Sequence, residues 1–91
     1  MRGFFYFVLM FTVYALKSID RNYIYVGLTN DINRRFNQHQ NGQNKTTSPY
    51  KPFVLIYQED FPTRIEARQK EIYLKSGSGK EFLKRLLNIS N

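Results

Sequence analysis

The chain has 91 residues, 14 Lys or Arg against 7 Asp or Glu and a formal net charge of +7, enough for one modest core but not for separate catalytic and recognition domains. It has no cysteine and 1 histidine, which excludes disulfides, thiol catalysis and zinc sites, so any metal should be a hard, oxygen-preferring ion such as Mg²⁺. Basic residues spread from Arg2 to Arg85 favour a polyanionic partner, nucleic acid before an acidic membrane surface.

Residues 4–10 are apolar and follow Arg2, as in a secretory leader, but Ala15 is trailed by Leu16 and Lys17 and no small-x-small cleavage pattern appears. The apolar stretch also falls short of the ~20 residues that span a bilayer. Residues 1–9 are therefore set apart as an extension, and a single domain over residues 10–88 is expected in the cytoplasm, off the membrane. One hypothesis places the start of synthesis at Met10; an intact mass that includes residues 1–9 rejects it.

Residues 11–17 read as a buried strand, joined through turn chemistry at residues 18–22 to a second strand over residues 23–28, an antiparallel hairpin. Strand alternation puts Tyr14 and Leu16 on one face of the first strand, and Tyr23, Tyr25 and Gly27 on one face of the second. A helix follows, with Asn30 or Asp31 as its N-cap, Ile32 and Phe36 turned inward, and Gly42 as a left-handed stop. Arg35 and His39 lie four residues apart and so share one face of that helix.

Residues 41–51 form a polar surface loop whose Lys45 and Lys51 suit phosphate contact; Arg34 and the Gly27 backbone are the other candidate nucleic-acid contacts. Residues 53–57 are apolar enough for one buried strand. Thr63 to Glu66 is a capping box, predicting a helix over residues 64–75, and Ser78 to Glu81 repeats the pattern for a last helix through about residue 87. The fold class is α+β, a three-stranded antiparallel sheet packed with about three helices. Glu71 falls on the inward stripe of Ala67 and Leu74, so its carboxylate needs a basic side chain or a cation beside it.

Five features occur in order. They are Val13-Tyr14-Ala15, Tyr25-Val26-Gly27 with Thr29-Asn30-Asp31, Arg35 ten residues after Tyr25, His39 four further on, and the run from Glu66 to Glu71. This series resembles the GIY-YIG nuclease family, in particular its small single-domain, UPF0213-like members, over about residues 10–87. The resemblance implies that Tyr14 activates a water with Tyr25 beside it, and that Arg35 grips the scissile phosphate. It further implies that His39 assists proton transfer or positions the nucleophile, and that Glu71 holds a single Mg²⁺ (or Mn²⁺) at the leaving oxygen. A tyrosine of ordinary pKa, near 10, is a weak base at neutral pH, so Arg35 and His39 are expected to lower that cost.

The activity implied is metal-dependent endonuclease cleavage of DNA, at branched or irregular structures, of the kind used in DNA repair. The alternative is a nucleic-acid-binding module of the same fold with weak or no cleavage. A domain this small has few means of holding DNA alone, which makes a homodimer or a partner protein the expected aid.

Overall fold

The computed structural model describes residues 10–89; the N-terminal extension over residues 1–9, on which the hypothesis of a start at Met10 turns, lies outside the described residues. Strand β1 (Phe11–Ser18) is the central strand of a sheet ordered β2-β1-β3 and pairs antiparallel with both β2 (Ile24–Thr29) and β3 (Phe53–Phe61). Covering on both faces explains why its middle is buried without alternation. Val13 and Ala15 join Val26, Ala67, Leu74 and Leu83 in one core cluster, while Tyr14 and Leu16 join Phe53 in another. The sheet is therefore sandwiched between helices.

The sequence predicts a buried strand at residues 53–57, and here the structure differs. β3 runs on to Phe61 and lies at an edge of the sheet, leaving Val54 46% and Leu55 37% exposed. Only Phe53 of this strand is buried. Apolar composition could not show that one side of the strand would find no cover.

Helix α1 (Ile32–Gln40) is set by its ends. The Asp31 carboxylate accepts from the Arg34 N–H at 3.1 Å, settling the N-cap in favour of Asp31. At the other end Gly42 takes φ +76°, which lets its N–H reach the His39 carbonyl and the Gln43 N–H reach the Gln38 carbonyl, the paired closure of a left-handed glycine stop. Ile32 and Phe36 then pack on Tyr14, Leu16 and Phe53. Gln40 fixes the helix to β3, its amide accepting from Phe53 N–H at 2.7 Å and donating to the Phe53 carbonyl at 3.2 Å. α1 is thus tied to the sheet face that carries Tyr14.

Helices α2 (Arg64–Lys75) and α3 (Gly77–Ile89) cover the opposite face as a hairpin joined through Ser76 alone. Thr63 caps α2 as the sequence predicts, accepting from Glu66 N–H while its hydroxyl donates to the Glu66 carboxylate at 2.7 Å. The predicted cap at Ser78 is displaced: Ser76 takes that role, its Oγ accepting from Gly79 N–H and its carbonyl from Lys80 N–H. The turn is so tight that a Cβ on Gly79 would stand 2.0 Å from the Tyr73 carbonyl oxygen and 2.4 Å from the Leu74 Cα, whereas one on Gly77 would meet nothing within 4 Å.

Alanine normally gains about 1 kcal/mol over glycine inside a helix, so Gly79→Ala tests the contact by reversing that sign. We expect Gly79→Ala to lose about 3 kcal/mol, because neither backbone atom can move aside, and Gly77→Ala to change stability by under about 1 kcal/mol. Urea unfolding of the two variants checks this; equal midpoints would refute the close approach.

Candidate active site

Tyr14 and Gly27 are cross-strand partners in the β1–β2 ladder, and the phenol ring lies directly over the glycine. A Cβ on Gly27 would come within 2.5 Å of both Cζ and the hydroxyl of Tyr14. Gly27 is itself buried, and the space that a side chain would need there is filled by the ring.

Folded across the glycine, the Tyr14 hydroxyl meets His39 Nε2 at 2.9 Å. The other ring nitrogen, Nδ1, lies 2.8 Å from the Thr47 hydroxyl, and both residues are fully buried. Thr47 is held by Asn44, whose side chain accepts from Thr47 N–H at 3.2 Å and whose carbonyl accepts from the Thr47 hydroxyl at 3.4 Å. With that hydroxyl donating to the carbonyl, its oxygen accepts from Nδ1–H, and Tyr14 O–H donates to the Nε2 lone pair. Sequence reasoning placed Thr47 in a phosphate-contacting loop and missed this role. The available signal was physical: an inward histidine needs a partner on each nitrogen, and Thr47 stands eight residues further on.

Tyr25 closes the cluster, its ring centroid 4.9 Å from that of His39 and 6.2 Å from that of Tyr14. Arg35 lies beside both tyrosine hydroxyls, and its Nη1 donates to Gln38 Oε1 at 3.0 Å. Tyr25, Arg35 and His39 therefore gather around the Tyr14 hydroxyl, so the four expected catalytic residues form one cluster. The electrostatics set the cost of ionising Tyr14. Burial pushes the Tyr14 phenol up to about 12, and the hydrogen bond and charge of Arg35 offset only part of that rise, which Tyr25 and Glu71 reinforce. Burial, and after it the charge of Arg35, pulls the His39 imidazole down to about 4. Arg35 and His39 do not make Tyr14 a standing phenolate; both members of the pair are neutral at pH 7.

Glu71 belongs to the other helical layer. It is 7% exposed, and burial alone would raise its pKa, yet Arg68 at 2.7 Å and Lys75 at 3.0 Å hold it below the usual carboxylate range. Basic side chains thus supply the partner its inward position demanded. Its charge is the smallest of the causes that raise the Tyr14 pKa. Among the described residues no three His, Asp or Glu side chains gather into a metal-binding group.

Arg34, Arg35, Gln38 and Arg64 line a hollow of about 410 Å³ with Leu28, Thr29 and Asn30. Arg34 is exposed and only weakly engaged by Asp31 at 3.8 Å. Lys45 and Lys51 are exposed but line neither this hollow nor a second one at the β2 edge, and the Lys51 stem lies against Gly42.

The single histidine gives a direct check on this geometry. Protonation of His39 favours the unfolded chain, whose imidazole titrates near 6.5, so its contribution is complete above that pH and is lost as pH falls toward 4. The loss should amount to about 3 kcal/mol. We expect the sole imidazole NMR signal to titrate near 4 and the urea midpoint to fall between pH 6.5 and 4.5; a titration near 6.5 would show the ring to be solvated.

Residues 10–85, which carry the tyrosine pair, the arginine and the histidine, match the GIY-YIG catalytic domain, a nuclease-type family: the chain belongs to the GIY-YIG family. It is 38% identical over 73 residues to UPF0213 protein SSP2268 of Staphylococcus saprophyticus, covering 79% of this chain and 88% of that one. Identity is also 38% over 65 residues to UPF0213 protein VPA1222 of Vibrio parahaemolyticus, covering 70% of this chain and only 60% of the relative. The solution NMR structure of UPF0213 protein BH0048 from Bacillus halodurans has the same fold, with a TM-score of 0.52 at 35% identity, over 85% of this chain and 84% of the other. Among the described residues no helix is long and apolar enough to cross a membrane.

Proposed function

We propose that this chain is a Mg²⁺-supported endonuclease that hydrolyses DNA phosphodiester bonds, with Tyr14, Tyr25, Arg35 and His39 as its catalytic group. The observation that carries the reading is the Tyr14 hydroxyl poised between His39 Nε2 at 2.9 Å and the Arg35 guanidinium. Hydrolysis needs a deprotonated water, neutralisation of charge on the phosphorus oxygens and help for the departing alkoxide.

A phenol with a pKa of about 12 is not an anion at pH 7, so Tyr14 acts as a relay. As water attacks phosphorus, its proton passes to the Tyr14 oxygen while the Tyr14 proton moves to Nε2 of neutral His39. An imidazolium beside Arg35 is costly in the free protein. The phosphate offsets this by placing its negative charge against the guanidinium, whose planar fork suits two phosphate oxygens. Thr47 holds the imidazole in the accepting tautomer.

Glu71 is the residue that would hold Mg²⁺ (or Mn²⁺). One carboxylate suits an ion that keeps several waters and completes its shell with phosphate oxygens, provided Lys75 or Arg68 yields an oxygen. The bound ion would supply positive charge at the leaving oxygen. Those same ion pairs favour a second reading, a nucleic-acid-binding module of this fold whose carboxylate is already satisfied.

The test is cleavage of linear, nicked and branched DNA with Mg²⁺ and with chelator. We expect metal-dependent cutting by the wild type, and a Glu71→Gln variant that folds and binds DNA but no longer responds to metal. Binding without cutting in any metal supports the module. An unfolded Glu71→Gln would assign Glu71 to structure alone.

A further inference from the structure

The second hollow, about 550 Å³ in volume, lies at the outer edge of β2 and is lined by Asn22, Tyr23, Ile24, Tyr25 and Val26 together with Lys75, Lys80 and Lys84. Nothing in the catalytic reading uses Lys80 or Lys84. These two are four residues apart on α3 and so rise from one face of the helix toward the strand edge. Lys84 is only loosely held by Glu81 at 3.8 Å, with both side chains exposed, and Lys80 makes no ion pair among the described residues.

The two hollows follow one another along a single strand. The arginine hollow is lined by Leu28 and Thr29, at the end of β2, and by Asn30; the lysine hollow is lined by residues from Asn22 to Val26. Gly27, the residue between, lies beneath the Tyr14 ring. From Tyr23 to Thr29 an extended strand covers about 20 Å, the axial length of about six stacked nucleotides. Tyr25 lines the lysine hollow while touching the catalytic cluster, and Arg35 does the same from the arginine hollow.

We propose that Lys80 and Lys84, with Lys75, form a second phosphate-contact site that holds the polynucleotide on the side of the scissile phosphate opposite Arg34 and Arg64. The substrate backbone then runs along the β2 edge, anionic throughout against cations on either side of Tyr14. The inference rests on the nuclease reading for its orientation. The contact itself is a matter of binding, which can be measured without any cleavage.

The experiment measures affinity for a fluorescein-labelled DNA oligonucleotide and its duplex in chelator, across a salt series. It compares the wild type with Lys80→Ala/Lys84→Ala and with Arg85→Ala, which removes charge from α3 outside the hollow. Each lost phosphate contact lowers the salt slope by about 0.7 on single strands and 0.9 on duplex, so the double variant should bind about 10- to 30-fold more weakly at physiological salt. Arg85→Ala should keep the wild-type slope.

A second arm follows hydrolysis of bis(p-nitrophenyl) phosphate, which is too short to reach the lysines. The double variant should retain the wild-type rate there while its KM for the oligonucleotide rises. If the wild type hydrolyses neither substrate, the nuclease reading fails while the binding arm still decides the lysine site. An unchanged slope in the double variant, or an equal fall in Arg85→Ala, overturns the proposal.

Discussion

Arg35→Ala should slow DNA cleavage by about 10³-fold, the range seen when one group that stabilises a developing oxyanion or phosphoryl charge is removed. Arg35 lies against both Tyr14 and Tyr25, so its loss removes part of what restrains the Tyr14 pKa and, in the proposed mechanism, the partner of the phosphate. Arg35→Lys should recover little, because an ammonium is a point charge and cannot bridge two phosphate oxygens while spanning both hydroxyls. The fold should survive, since the side chain is half-buried and within α1 it bonds to the side chain of Gln38, one turn away. A second readout separates this role from a structural one. The Arg35 charge is one of the two causes that depress His39, so the imidazole midpoint of Arg35→Ala should move up from about 4. Cleavage within tenfold of the wild type, or an unmoved midpoint, would contradict the placement of Arg35 beside the pair.

Local signals in the sequence carried most of the framework. The hairpin of β1 and β2, the Asp31 and Thr63 caps and the Gly42 stop each depend on residues only a few positions apart, and each stands where the pattern puts it. What escaped was non-local. The exposure of Val54 and Leu55 follows from β3 taking an edge, a matter of which strand pairs with which. Ser76 displaced Ser78 as a cap because two helices share one residue of connection, and Gly79 makes that approach sterically possible. In the site, helix periodicity placed Arg35 and His39 together and alternation placed Tyr14, but the pKa of Tyr14 depends on burial that no spacing reveals. The partners of Glu71 were legible after all: Arg68 three residues before it and Lys75 four after it are the positions from which helix side chains meet.

Gly27→Ala links fold and chemistry most directly. Replacing glycine by alanine in an extended strand ordinarily stabilises by about 0.4–1 kcal/mol through the unfolded chain. Here the new methyl would lie 2.5 Å from Cζ and the hydroxyl of Tyr14, a ring fully buried and fastened to His39. Something has to move, and the ring is the more mobile partner, since shifting the strand would break its pairing with β1. A displaced Tyr14 leaves the Nε2 of a buried imidazole without a donor, so overpacking and a lost buried hydrogen bond act together, for about 2–4 kcal/mol. Cleavage should fall about as far as in Tyr14→Phe, because either change separates the hydroxyl from His39. The stability effect is decided by a double-mutant cycle with Tyr14→Leu, which has no atoms at the ring's far end. In that background Gly27→Ala should cost under about 1 kcal/mol, giving a coupling of about 1 kcal/mol or more between the two positions. Additive costs would mean that the methyl disturbs the strand rather than the ring, and Gly27 would then have no part in positioning the Tyr14 hydroxyl.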